Sequence, residues 1–160
     1  FYLRLDKNNS KENNTRIVFF ADKGVTEINT TLKNFVTDAK ITGSTQQKLY
    51  EDFLKVITRY NEKNLDLIKE NFDAKKANDS AKIEASTKAM NNLTKSRYLY
   101  VVNFAVNNKD SEVAPYLALT EVYDAQIKWL DTINNALTPK VKASKYGKAL
   151  DGYLAIRKAE

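Results

Sequence analysis

Four carboxylates recur at helical spacing near the middle of the sequence: Glu62, Asp66, Glu70 and Asp73. Intervals of four, four and three residues set them along one helix face, an arrangement able to hold a hard cation or to supply paired acids for glycoside hydrolysis. Arg59, Lys63 and Lys69 surround them, and the chain has no His to complete the carboxylate-bridged site of a bundle. The stripe therefore reads as a solvated, charge-laced face. With neither His nor Cys in the sequence, imidazole acid–base chemistry, Cys/His zinc sites, thiol nucleophiles and disulfides are all absent. Gly147 and Gly152 have the spacing of phosphate-loop glycines, but Tyr153 and Leu154 stand where Lys and Ser/Thr must reach the phosphates. No dinucleotide fingerprint and no Gly-x-Ser-x-Gly elbow occurs. The chain is expected to be no enzyme, with no catalytic residue, no metal and no cofactor.

The densest basic cluster is Lys140, Lys142, Lys145 and Lys148, with Tyr146 inside it and no acid between Pro139 and Leu150. These five residues are the candidate interaction surface, suited to an acidic partner, phosphate or lipid headgroups. The competing reading is a set of solvated lysines around a helix start, where the macrodipole opposes cations only mildly. The net charge is +6, but 21 of the 26 basic residues are Lys and acids are interspersed among them. Nucleic-acid binders gather Lys and Arg on one face and use Arg for bidentate contacts, so no nucleic-acid partner is expected.

Positioning any of these groups requires a core, and 160 residues are enough to bury roughly 70% of the unfolded surface. Phe1–Leu5 and Arg16–Phe20 are β-prone and flank the polar stretch Asp6–Thr15, as a hairpin with a long mobile tip demands. Val25–Asn29 and Phe35–Ile41 add two further extended segments. Four short strands with no intervening helix predict one antiparallel sheet over residues 1–43, buried on one face. Ser44 with Gln47 forms a capping box, in which Gln47 reaches back to the cap. Leu49, Phe53, Val56, Ile57, Tyr60, Leu67, Ile68 and Phe72 then recur at helical spacing. Asn64 falls within this stripe as a polar group for a neighbouring helix to satisfy.

Asn78-Asp79-Ser80 offers the next cap, followed by Ile83, Met90, Leu93, Tyr100, Val101 and Phe104. The short link makes residues 44–75 and 79–107 an antiparallel hairpin. Arg97 and Tyr98 lie beside the second stripe, placed to snorkel at its edge. Residues 111–160 carry further helices, with Ser111, Asp124, Thr138-Pro139 and Ser144 as starts. The expected class is α+β: a short antiparallel sheet, then an antiparallel helical bundle over 44–160.

Several strings together resemble a family. Phe1-Tyr2-Leu3, Asp38-Ala39-Lys40-Ile41-Thr42-Gly43-Ser44, Val113-Ala114-Pro115-Tyr116-Leu117 and Leu137-Thr138-Pro139 through Val141-Lys142, Ser144 and Tyr146-Gly147-Lys148 are similar to the N-terminal accessory region of Bacteroidetes-type lipoproteins that carry a TlpA/ResA-like thioredoxin domain. The resemblance covers nearly the whole chain and rests on cap, turn and packing residues. It implies a non-catalytic accessory role in the periplasm or cell envelope of a Gram-negative bacterium, with a lipid anchor outside this chain. The partner it implies is a thioredoxin-like domain in cis or an envelope protein. Family members carry further strands ahead of the Phe1 position, so the sheet is expected to be incomplete, or completed by another copy through its edge. They continue into a Cys-x-x-Cys domain, so thiol-disulfide activity is expected to lie outside residues 1–160. The alternative is a stand-alone periplasmic or surface module binding a peptide, glycan or lipid.

Overall fold

The computed structural model describes residues 1–5 and 16–159. The expected hairpin tip, 6–15, lies outside the described residues. The fold is α+β and mostly helical, in the order β1 (Tyr2–Arg4), β2 (Arg16–Val18), β3 (Glu27–Asn29), β4 (Lys40–Thr42), α1 (Thr45–Lys76), α2 (Ser80–Asn107), α3 (Val113–Glu121), α4 (Ile127–Ala136), α5 (Pro139–Lys142) and α6 (Lys145–Ala159). It divides into two compact units, Phe1–Asp52 and Phe53–Glu160.

In the first unit the strands form two separate antiparallel pairs where one sheet was expected. β1 and β2 pair with Leu3 opposite Ile17, and β3 and β4 with Ile28 opposite Ile41. The ladder beyond β2 stops because the Phe20 amide donates to Gln47 Oε1 at 2.9 Å and leaves strand pairing. The expected extended segment Phe35–Ile41 is a turn over residues 33–38, and only Lys40–Thr42 is strand. Local bonds win there. Thr31 Oγ1 donates to Asp38 Oδ2 at 2.8 Å, Thr30 Oγ1 to the Phe35 carbonyl at 2.6 Å, and the Asp38 amide to the Asn34 carbonyl at 2.9 Å. Gly43 follows at φ +84°, where a Cβ would sit 2.1 Å from the Val25 carbonyl oxygen. Only glycine fits both the conformation and the space.

The start of α1 is held differently from the expected capping box. Ser44 Oγ does accept from the Gln47 amide, at 3.0 Å. The Gln47 side chain, however, turns away from the cap: its Oε1 takes the Phe20 amide and its Nε2 donates to Glu51. The remaining free amides of the first turn are served by Asp22. Its Oδ2 accepts from the Thr45 amide and hydroxyl, each at 2.6 Å, and from the Gln46 amide at 3.3 Å, while Oδ1 accepts from Gln46 Nε2 at 2.9 Å. These bonds, foremost that from the Thr45 hydroxyl, lower the Asp22 carboxyl to about 2.

The second unit is a helical bundle. Phe53 is fully buried and stacks on Tyr100 at 5.7 Å and against Phe104 at 5.2 Å, while Tyr60 stacks on Tyr100 at 6.0 Å. Further along, Asn71 reaches Ser86, so α1 and α2 run antiparallel. Their connection is a Schellman motif: Asn78 takes φ +53°, the Asp79 amide donates to the Ala74 carbonyl and the Asn78 amide to the Lys75 carbonyl. Asp79 then caps α2 by accepting from the Lys82 amide at 3.1 Å.

α3 is the most buried element, with Val113, Ala114, Pro115, Leu117 and Ala118 all inside. Pro115 is tolerated there because the amides of a first helical turn have no intrahelical partner to lose. Packed with α2 and α6, α3 closes a core that includes Val101, Leu117, Leu130, Ile133 and Leu150.

On the hairpin Asn64 is half-buried, as expected of a polar group within the stripe. A second asparagine, Asn71, two turns further on, is more deeply buried at 6% exposed. Its Nδ2 donates to Ser86 Oγ at 2.8 Å, Thr87 Oγ1 at 3.2 Å and the Ile83 carbonyl at 3.3 Å. Ile68 and Phe72, expected to face a core, are 48% and 56% exposed, and Leu65 is 66% exposed.

Candidate interaction site

The basic cluster occupies the corner between α5 and α6. Thr138 precedes α5 in extended conformation with Pro139 at the first helical position. A four-residue helix cannot place Lys140 and Lys142 on one side, because two residues span about 200° of a turn. Lys140 is exposed and Lys142 half-buried. Ser144 starts α6, its Oγ accepting from the Gly147 amide at 3.2 Å and its carbonyl from the Lys148 amide at 3.0 Å. Lys145 and Lys148, three residues apart, share an exposed side of that helix.

The corner is tightly packed. Gly147 is buried, and a Cβ on it would meet the Val141 carbonyl oxygen at 2.2 Å and that of Lys142 at 2.6 Å. Tyr146 packs edge-on against Tyr116 of α3, with ring centroids 5.2 Å apart. Burial raises the Tyr146 phenol above its usual value, with smaller contributions from Tyr116 and Glu112. None of the four lysines forms an ion pair with a described residue. The corner therefore holds a rigid aromatic base with uncompensated positive charge around it.

A second polar assembly was not legible from the sequence. Arg97, expected at the edge of the α2 stripe, donates from Nη1 to the Glu121 carbonyl at 3.2 Å and from Nη2 to Glu121 Oε2. Arg157 of α6 donates to the Tyr123 carbonyl at 2.6 Å and the Ala125 carbonyl at 3.3 Å, and the Tyr153 hydroxyl also donates to the Tyr123 carbonyl, at 2.8 Å. Asp124, expected to cap α4, instead accepts from the Tyr98 hydroxyl at 2.7 Å. Gln126 occupies the cap position, with no side-chain bond. Burial, reinforced by the bond to Asp124, pushes the Tyr98 phenol up to about 12. Arg157, Tyr98 and Tyr153 thus pin the α3–α4 loop from the helices beside it, and Arg97 holds the end of α3. The long sequence separation between the Arg residues and their carbonyl acceptors left no local signal.

Glu62, Asp66, Glu70 and Asp73 are all exposed, and no group of three or more potential metal ligands occurs among the described residues. Between the end of α1 and the start of α2 lies a cavity of about 740 Å³ lined by Ala74, Ala77, Ala85, Ser86 and Ala89, with Glu70, Asp73 and Lys82 at its rim. Among the described residues no helix is long and apolar enough to cross a membrane. In comparisons with known proteins, no family model, curated protein or solved structure matches the chain.

Proposed function

We propose that this chain is a non-catalytic accessory module of the cell envelope that docks an acidic face of a thioredoxin-like domain in cis, or of another envelope protein, at its α5–α6 corner. The observation that carries this reading is the set of lysines 140, 142, 145 and 148 without ion-pair partners around Tyr146, held by a glycine contact that leaves the corner little freedom. A backbone corner fixed in advance confines the ordering cost of binding to the lysine side chains, and complementary charge steers the encounter. The resemblance to accessory regions of TlpA/ResA-like lipoproteins supplies the partner class and the envelope location, with the lipid anchor outside this chain.

The reading is tested by following the gene downstream to its stop codon and comparing amide NMR spectra of the continuous protein with those of residues 1–160. Shifts concentrated at Lys140, Lys142, Lys145, Tyr146 and Lys148, weakened by salt and by charge reversal of Lys145 and Lys148, are expected. A downstream sequence without a thioredoxin-like segment bearing paired cysteines removes the partner, and shifts confined to other surfaces remove the site. The cavity of about 740 Å³ at the hairpin end favours a second reading, a stand-alone module for a peptide, glycan or lipid. Saturable shifts around Ala77 and Ala85 on adding such a ligand would support it.

A further inference from the structure

The α1–α2 hairpin changes character along its length. Near the bundle its contacts are apolar and closely packed: Phe53, Ile57, Val101, Val102 and Ala105 are at most 5% exposed, and the Phe53, Tyr100 and Phe104 rings lie against one another. In the outer part, residues 64–95, only Leu67, Asn71, Ala74 and Ser86 are buried. Two of those four are polar, and the large apolar side chains Leu65, Ile68 and Phe72 face solvent. Ala74, Ala77, Ala85 and Ala89 line the cavity of about 740 Å³ at that end, so few atoms are in dispersion contact across it. Among the described residues, the hydrogen bonds, ion pairs and ring contacts of side chains 64–95 all stay within the hairpin; Arg97 and Tyr98 are the first residues of α2 tied to later helices by such bonds.

We propose that residues 64–95 form an arm that opens as a unit, with Asn71 as its latch, while the bundle stays folded. Asn71 Nδ2 alone serves Ser86 Oγ, Thr87 Oγ1 and the Ile83 carbonyl across the hairpin. The two hydroxyls also donate within α2, to the Lys82 and Ile83 carbonyls, and those bonds persist when the helices part. Closure therefore rests on one amide group and a thin apolar contact. The backbone offers little resistance once the latch is broken. Asn71, Asp73, Thr87, Asn91, Asn92 and Thr94 are poor helix formers, and a helical segment of about fifteen residues is marginal in water without a packed face. Opening thus frees amides on both helices together and widens the cavity between them. Val101, Leu130, Ile133 and Leu150, each fully buried, are released only when the whole bundle unfolds. The arm is distinct from the α5–α6 corner, so the proposal does not depend on the docking reading above.

Native-state hydrogen exchange of residues 1–160, followed amide by amide by NMR where exchange reports the opening equilibrium, tests this. Amides of residues 67–75 and 84–93 should share a similar protection and exchange at least about a hundredfold faster than the slowest amides of 101–105 and 130–133. Asn71→Ala should speed exchange of the arm amides on both helices by about five- to thirtyfold. Ile133→Val trims one methylene from a fully buried position. It should speed the slowest bundle amides by about two- to tenfold and leave the arm amides unchanged, because the bundle is intact in the open form. Arm amides as slow as those of the bundle, Ile133→Val speeding both sets equally, or Asn71→Ala altering α1 amides alone would each overturn the proposal. An Asn71→Ala chain whose bundle amides also lose their dispersion would overturn it as well.

Discussion

Replacing Asp22 tests whether a carboxylate far away in sequence anchors the start of α1. The side chain accepts four hydrogen bonds from Thr45 and Gln46, and its carboxyl falls from 3.8 to about 2. By linkage that difference corresponds to about 2.5 kcal/mol. The group retains part of its hydration, which reduces the expected contribution to about 1–2 kcal/mol, the range of a good helix cap. The sign follows from the depressed folded value. The stabilisation is fully present above the unfolded value of 3.8 and is lost as pH falls through about 2. Thermal unfolding followed by far-UV circular dichroism should show Asp22→Ala lowering Tm by about 3–6 °C at pH 7. The gap to the parent chain should close between about pH 5 and pH 2, because protonation removes from the parent what the substitution removes from the variant. Asp22→Asn keeps one acceptor and should lie between the two at neutral pH. Carbon-13 NMR of the Asp22 carboxyl reads the ionisation directly. A midpoint near 4, or parent and Ala curves that stay parallel down to pH 2, would refute the reasoning.

Two glycines on α6 form an internal contrast. Gly147→Ala forces a Cβ onto the Val141 and Lys142 carbonyl oxygens and should cost about 2 kcal/mol or more in urea unfolding. Gly152→Ala meets nothing within 4 Å and should gain roughly 0.5–1 kcal/mol from helix propensity. Asn71→Ala removes the donor to Ser86, Thr87 and Ile83 and should cost about 1–2 kcal/mol. Asn71→Asp should be worse at pH 7, since it buries a charge facing the Ile83 carbonyl, and should recover as the pH is lowered and the carboxyl protonates.

The sequence determined the features whose partners lie within a few residues. Asp79 and Ser144 cap their helices by bonding amides three residues on, and the Asn78 turn closes α1 through the carbonyls just before it. Helical periodicity marked where the long helices run, and the basic cluster was visible as an uninterrupted run. Only the tertiary structure decided the rest. Asp22 serves an amide 23 residues away, Gln47 gives up its cap role for the Phe20 amide, and Arg97 and Asp124 are claimed by groups 24 and 26 residues distant. Local bonding among Thr31, Asn34 and Asp38 defeated a strand that composition favoured. On α1, periodicity gave a stripe but not its width: the neighbouring helix covers Leu67 and Asn71 and leaves Leu65, Ile68 and Phe72 in solvent. A period specifies which residues share a face. Which part of that face is buried depends on the angle from which another element approaches, and no local pattern encodes it.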